Sequence, residues 1–322
     1  MEKDAYDLII IGSGAAGLAA GVYAGRYKMK TLIIGKDFGG ETATAGSIEN
    51  YPGIKAIDGY ELMKEMKEQA QDLGAELEDG KVEKIEKDGK CFAVSTKDKS
   101  FHGNTIIIAI GSERRHLGLK REKEFTGKGV HYCWTCDGPL FGGKIVAMVG
   151  GGDSSVKGVN FLAEYAEKIY LIVRGKEIIA EPVNEAQMKK LGDKVEILFE
   201  NEVKELVGEN MLGKVILSKP YNGATELKLD GLFVEVGFDP DVTLAKLIGA
   251  ELDERNYIMV DNQMRTNISG IFAAGDATNH FGSFKQDITA AAMGAVAATS
   301  AYEHYKAHGE ICSLHGKVLN GK

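Results

Sequence analysis

Two cysteines stand three positions apart in the run Cys133-Trp134-Thr135-Cys136-Asp137. That spacing lets two thiols close a small ring and hold two electrons as a disulfide. The attacking form of such a pair is the thiolate, which a neighbouring sulfur or a helix terminus favours. Each thiol gains or loses a proton as it turns over, so Asp137 is a candidate acid/base; the same residue also suits a helix N-cap. Half of a zinc site and two inert buried thiols are the other readings of the pair. Zinc wants a second Cys or His pair at close spacing, and the remaining cysteines, Cys91 and Cys312, are isolated. Cys91 falls in a strand and reads as packing, while Cys312 and His315, in a loosely specified tail, read as incidental. The redox pair is the favoured reading.

A dithiol needs an electron source, and a glycine loop lies on either side of it: Gly12-Ser13-Gly14-Ala15-Ala16-Gly17 and Gly150-Gly151-Gly152-Asp153-Ser154-Ser155. In the first, Gly12 permits a tight turn, Gly14 lets backbone approach a pyrophosphate, and Gly17 lets the helix sit close to the strand. The helix N-terminus favours negative charge. The bland alternative is a mere strand-to-helix turn. The flanks favour a nucleotide: Tyr6 to Ile11 reads as a buried parallel strand, Ala15 to Tyr27 as an Ala- and Gly-rich helix, and Thr31 to Ile34 as the strand completing a βαβ unit. Gly35 stands at the strand end where an acidic residue commonly takes the ribose, and Asp37 is the nearest candidate. The second loop has the same setting, with strands Lys144 to Val149 and Ile169 to Val173 around a helix from Ser154 to Tyr165. Ser155 replaces the commoner Gly or Ala. It reads as a present or ancestral nucleotide site.

Other elements must carry these loops. Leu62, Met63, Met66, Ala70 and Leu73 recur at helical spacing and read as the core face of an amphipathic helix rather than a functional methionine cluster. Phe92 to Thr96 and Thr105 to Ile110 read as strands. Because the βαβ pattern restarts near Lys144, the first domain is interrupted rather than finished. Leu232 to Val236 closes the insert. From about Val242 the chain returns, through Gly270-Ile271-Phe272-Ala273-Ala274-Gly275-Asp276 and a long Ala-rich helix from about Gln286 to Tyr305. The expected fold is α/β, with two Rossmann-like dinucleotide-binding domains, the second (113–241) inserted into the first (1–112 and 242–322).

Bulk properties narrow the classes. At 322 residues the chain exceeds one typical core. Apolar and charged contents of 44% and 27% are those of an ordinary globular protein. A net charge of -8 argues against a nucleic-acid partner. No uninterrupted apolar run reaches the roughly 18 residues a membrane span needs. A strand begins almost at once after Met1, leaving no room for a signal peptide. Four cysteines do not make a disulfide scaffold, and the expected location is the cytoplasm.

Taken in order, Gly12 to Gly17, Gly39-Gly40-Glu41, Glu49-Asn50-Tyr51-Pro52-Gly53, Cys133 to Asp137, Gly150 to Ser155, Gly275-Asp276 and Lys285-Gln286 resemble the low-molecular-weight (bacterial and archaeal) thioredoxin reductases of the pyridine nucleotide-disulfide oxidoreductase family, over nearly the whole chain. The resemblance implies a homodimeric, FAD-dependent dithiol/disulfide oxidoreductase acting on a thioredoxin- or glutaredoxin-like protein, with no membrane or nucleic-acid partner. It places FAD on Gly12, Ser13, Gly14, Ala15, Ala16 and Gly17, with Asp37, Gly40, Glu41, Asn50, Val82 and Gly111 along its length. Gly275 and Asp276 would meet the ribityl or phosphate region, and Lys285, Gln286, Asp287 and Ile288 the isoalloxazine. A nicotinamide dinucleotide would lie on Gly150, Gly152, Asp153, Ser154, Ser155 and Arg174. Cys136 would face the flavin, Cys133 would attack the partner's disulfide, and Asp137 would be the acid/base. In the family the small domain rotates about two linkers, here near Gly111-Ser112-Glu113 and Gly237-Phe238-Asp239.

Three positions depart from that pattern. Glu41 stands where Gln is usual, and an extra carboxylate near a flavin should lower its potential. Trp134 is bulkier than the usual Ala or Ser, and could shape partner contact. Members that use NADPH carry His-Arg-Arg and a later Arg for the 2′-phosphate; here the residues are Val173-Arg174-Gly175, then Ile178-Ile179-Ala180. One arginine of three remains. NADPH, NADH, a deazaflavin, ferredoxin, or no soluble nucleotide at all stay open as the donor. So do two rivals: a flavin-dependent dithiol oxidase using oxygen, and an FAD-binding redox sensor without turnover.

Overall fold

The computed structural model describes residues 5–88 and 91–308. Cys312 and His315 lie outside them. The chain divides into two compact units, one running to Glu113 and resuming at Pro240, the other spanning Arg114–Asp239.

In the first unit β1 (Ala5–Ile11), α1 (Ala15–Arg26) and β2 (Thr31–Gly35) form the βαβ turn. The chain then passes through α2 (Gly59–Asp72), β3 (Glu76–Asp79), β4 (Val82–Asp88), β5 (Cys91–Thr96) and β6 (Ser100–Ile108). The sheet runs β3-β2-β1-β6-β5-β4. Its β3-β2-β1-β6 part is parallel, with Ile10 opposite Ile33 on one side and Ile107 on the other, and β6-β5-β4 is antiparallel. Pleating sends alternate residues of β1 to two layers. Leu8 and Ile10 pack with α1 and α2, while Ile9 and Ile11 pack with Val82, Phe92 and Val94. The side chain of Asp58 caps α2 by accepting from the Tyr60 N–H at 2.9 Å, and Leu62, Met63, Met66 and Ala70 form its buried face.

After a single helical turn at Glu122–Phe125, the second unit runs through β7 (Val130–His131), the short helix α3 (Trp134–Asp137), β8 (Ile145–Val149), α4 (Asp153–Leu162), β9 (Lys168–Ile172), α5 (Pro182–Lys189) and β10 (Val195–Leu198). A meander of β11 (Val203–Gly208), β12 (Leu212–Tyr221) and β13 (Ala224–Lys228) follows, then β14 (Gly231–Val234). The parallel order is β7-β14-β8-β9-β10. Val146 and Met148 face α4, whereas Ala147 and Val149 face the meander through Leu206, Val215 and Leu217. Back in the first unit, β15 (Ile271–Ala273) pairs parallel with β6. The last helix, α6 (Asp287–His308), packs on α1 so closely that a Cβ on Gly294 would lie 2.0 Å from the Ala16 carbonyl oxygen. The alanine and glycine content of both helices permits that approach.

The chain crosses between units at Ser112–Arg114 and Phe238–Pro240, two short strands. Gly111 and Gly237, at the start of each crossing, hold φ of 69° and 99°, a region that suits glycine.

Candidate functional site

The first loop is built around backbone approach. Gly12 has φ of 116°, and a Cβ there would meet the Ala109 carbonyl oxygen at 2.1 Å. A Cβ on Gly17 would meet the Gly12 carbonyl oxygen at 1.9 Å. Gly14 differs: among the described residues an added Cβ finds nothing nearer than the Gly39 carbonyl oxygen, at 3.8 Å. Gly14 precedes α1, and the first N–H groups of a helix have no partner within it. Ser13 donates its hydroxyl to the Asp37 carbonyl at 3.3 Å, and its backbone carbonyl accepts from the Gly39 N–H at 3.1 Å, which folds residues 36–40 over the loop. Gly40, with φ of 56°, then faces Gly14. The want of an acid at position 35 has a steric cause: a Cβ there would fall 2.1 Å from the Ser13 hydroxyl. The Asp37 carboxylate is exposed and paired with Lys36 at 3.2 Å.

A second group of side chains gathers at the start of α6. Thr42 donates to Asp287 at 2.6 Å, and Asn50 donates to Gln286 at 3.0 Å. Lys285 donates to the Thr278 carbonyl at 2.6 Å, with its Nζ 4.5 Å from the centre of the Tyr257 ring. The Tyr51 hydroxyl is pushed above its ordinary range by burial and then by the charge of Asp287. Gly275 has φ of 80°, and Ile288 lies half-buried in the first turn of α6. Glu41 is exposed in the turn Gly40–Thr44. Val82 is buried in the core layer, and Gly111 lies at the exit from β6. Thr42 and Tyr257 are additions that sequence reasoning passes over, and neither carries a local signal; Tyr51 stands in the run Glu49 to Gly53 noted above but without a role of its own.

Among the described residues the buried Oδ1 of Asp276 has no hydrogen-bond partner. Its carboxyl is pushed up to about 6, by burial first, with Lys285 opposing and Asp287 adding. A flavin dinucleotide fits on two counts: open space over Gly14 and Gly40 at a helix N-terminus, and an unmatched acceptor that a ribityl hydroxyl would satisfy. The raised value gives a signed prediction. The folded apoprotein keeps a proton that the unfolded chain has lost, so this contribution to stability is fully present below pH 3.8 and lost as pH climbs through about 6. A hydroxyl donated to Oδ1 favours the ionised form. FAD affinity of the apoprotein is therefore expected to rise about tenfold between pH 5 and 7. Calorimetry in two buffers should record proton release at pH 5, and Asp276→Asn should abolish both effects.

In the second unit Cys133 and Cys136 are joined as a disulfide, with Cα atoms 5.3 Å apart. Cys133 caps α3, its Sγ accepting from the Cys136 N–H at 3.2 Å, and the Thr135 hydroxyl lies 3.2 Å away. In the reduced pair these donors favour the thiolate on Cys133. Asp137 does not use its side chain to cap the following turn; its carboxylate meets His131 Nδ1 at 2.8 Å. Trp134 lies against α4, 5.4 Å from the Phe161 ring, and a Cβ on Gly158 would come within 3.0 Å of the indole. Its bulk fastens the dithiol turn to that helix. Among the described residues no group of three or more His, Cys, Asp or Glu could hold a metal.

The second loop is partly committed to the fold. A Cβ on Gly150 would meet the Glu235 carbonyl oxygen at 2.1 Å. Ser154 donates to the Glu235 carboxylate at 3.0 Å and Ser155 to its backbone carbonyl at 3.1 Å, while Arg114 holds the other carboxylate oxygen at 3.0 Å. Asp153 is opposed by burial, yet bonds from Asn184 at 2.8 Å and the Glu181 N–H at 2.9 Å, with Lys157 nearby, keep its carboxyl low. Gly152 precedes α4 with, among the described residues, nothing within 4 Å of an added Cβ, which leaves room for a phosphate. The 2′-phosphate fares worse. Arg174 is exposed and its charge helps, after Lys204, to hold the Glu202 carboxyl low, while position 179 presents an isoleucine that is 77% exposed.

Comparisons with known proteins agree with this geometry. The pyridine nucleotide-disulphide oxidoreductase profile matches residues 6–298. A thioredoxin reductase of Peptoclostridium acidaminophilum is 36% identical over 96% of this chain and 99% of its own length. The crystal structure of Lactococcus lactis thioredoxin reductase is 35% identical, with a TM-score of 0.88, covering 94% of this chain and 99% of that one. That of T. acidophilum thioredoxin reductase is 36% identical, with a TM-score of 0.87 and the same coverage.

Proposed function

Because this chain belongs to the pyridine nucleotide-disulphide oxidoreductase family, we propose that it is a thioredoxin reductase, an FAD-dependent enzyme that reduces the disulfide of thioredoxin through Cys133 and Cys136. The observation that carries this reading is the Cys133–Cys136 disulfide at the start of α3, with Asp137 in the same turn. FAD, held by the Gly12–Gly17 loop, Gly40, Asp276 and the start of α6, supplies a two-electron carrier between donor and dithiol. The chain's own residues do the rest. Once the pair is reduced, the Cys133 thiolate attacks one sulfur of the partner's disulfide; the partner's other sulfur leaves and takes a proton. Cys136 then attacks Cys133 Sγ, which restores the 133–136 bond and releases the second partner thiol. Two electrons and two protons pass to the partner, and Asp137 moves protons at the dithiol.

The test is anaerobic: the protein with FAD and a donor should reduce thioredoxin, seen as free thiol. In a second, aerobic arm, oxygen uptake on dithiols by a protein that reduced no thioredoxin anaerobically would support the oxidase instead. The relatives above, named as reductases, favour the first outcome. Among the described residues no helix is long and apolar enough to cross a membrane, and we place the enzyme in the cytoplasm as a homodimer, with FAD on the first unit and any nicotinamide dinucleotide on the second.

Arg174 alone makes no bidentate clamp for a dianionic phosphate. NADPH and NADH are expected to bleach the flavin with kcat/KM values within about fivefold of each other. The double variant Gly175→Arg, Ile179→Arg should raise the preference for NADPH by about ten- to a hundredfold, measured by anaerobic stopped flow at 450 nm.

A further inference from the structure

His131 is a buried titratable side chain that the steps above do not use. It is 7% exposed and sits in β7, two residues before Cys133. Its ring packs edge-on to Phe141, at 5.1 Å between centres, and beside Phe233 at 5.4 Å. Phe233 is its register partner on β14. The box is built for it: a Cβ on Gly231 would lie 2.4 Å from the Phe141 ring, so a glycine there admits the phenylalanine that walls the imidazole. A polar ring in apolar surroundings needs a partner, and Nδ1 has one in Asp137 Oδ2 at 2.8 Å. Whenever the carboxylate is ionised it only accepts, and Nδ1 then carries the hydrogen. The Asp137 side chain is 34% exposed, and the residue directly follows Cys136 in the chain.

We propose that His131 is the positioning partner of Asp137, so that proton transfer at the dithiol is performed by a His–Asp pair rather than by a lone carboxylate. This rests on the reductase reading above. The Nδ1–H fixes Oδ2 and aims the remaining oxygen, which takes the proton from a thiol of the reduced pair as its thiolate forms and returns it to the thiolate released from the partner. Electrons move only between sulfurs; the imidazole changes no bond order and stabilises the charge on Asp137. Phe141 and Phe233 bring no charge to the pair, and the neighbouring Tyr132 hydroxyl is turned to Glu122 at 2.8 Å. The dithiol lies next to the pair in sequence, Cys133 two residues after His131 and Cys136 immediately before Asp137.

The test uses the full chain with FAD, reduced by dithiothreitol and freed of it. Iodoacetamide alkylation of the dithiol is followed against pH in the parent, His131→Leu, His131→Asn, Asp137→Asn and the double variant H131L/D137N. His131→Leu should shift the alkylation midpoint by about one pH unit or more and slow single-turnover thioredoxin reduction by about a hundredfold. His131→Asn, which retains an N–H donor, should recover most of the rate. The double variant should be no slower than Asp137→Asn alone, because the two residues act as one unit. An unshifted profile in a folded His131→Leu protein, or additive losses in the double variant, would overturn the proposal. Should His131→Leu fail to fold, an alkylation profile in Asp137→Asn identical to the parent's would overturn it equally. The alkylation arm needs neither donor nor thioredoxin, so a failure of the reductase reading is seen separately, as parent protein that alkylates normally yet reduces no thioredoxin.

Discussion

Cys133→Ser should leave a yellow protein whose flavin is still bleached by its donor but whose thioredoxin reduction falls on the order of 10⁴-fold or more. The size follows from what is lost: Cys133 is the sulfur assigned to attack the partner, and Cys136, whose part is to resolve the mixed disulfide, replaces it only slowly. The two thiols are not equivalent, since Cys133 Sγ takes the Cys136 N–H and lies beside the Thr135 hydroxyl. Cys136→Ser keeps that attacking sulfur and removes the one that resolves the intermediate. It should therefore accumulate a mixed disulfide with thioredoxin, seen by mass spectrometry as a covalent 1:1 adduct, whereas Cys133→Ser should accumulate little. If both variants trap the partner equally, the assignment of attacker and resolver is wrong.

Gly12→Ala and Gly17→Val should each give colourless, destabilised protein, losing about 3 kcal/mol or more. In both cases the new carbon meets backbone oxygen at about 2 Å, at 2.1 Å from Ala109 and 1.9 Å from Gly12, and backbone cannot rotate away as a side chain would. Gly12 adds the cost of φ at 116°. Gly14→Ala is the informative control. Its Cβ would find no close protein atom, so the fold should survive while FAD affinity drops, because the methyl enters the space a pyrophosphate would fill. Urea melts and the 450 to 280 nm absorbance ratio separate the two outcomes. A Gly14→Ala protein with parental FAD content would return the loop to a mere strand-to-helix turn.

The parallel strands were legible because their residues are apolar without alternation, as in Leu8 to Ile11 and Val146 to Val149, and because glycines follow each. The meander from Val203 to Lys228 goes unnoticed in the sequence reading. Its strands mix charged and apolar residues and bear no motif, yet Asn222-Gly223 is a hairpin signal, realised with φ of 48° and 82°. Helix ends are less certain: α4 stops at Leu162, not Tyr165, where the chain tightens into a turn. At the site, glycines and the dithiol announce themselves locally. The Thr42–Asp287 bond joins residues 245 apart, and no local pattern predicts it. His131 is local to the dithiol, but one histidine in a two-residue strand reads as core until its partner is seen.

The indole seated on α4 has a practical consequence. It is the one tryptophan in the chain, and the residue before it carries a sulfur that alternates between bonded and free. Disulfides quench nearby indole emission, so the FAD-free protein carries an intrinsic optical gauge of its dithiol, readable with no label where no flavin absorption overlaps that emission.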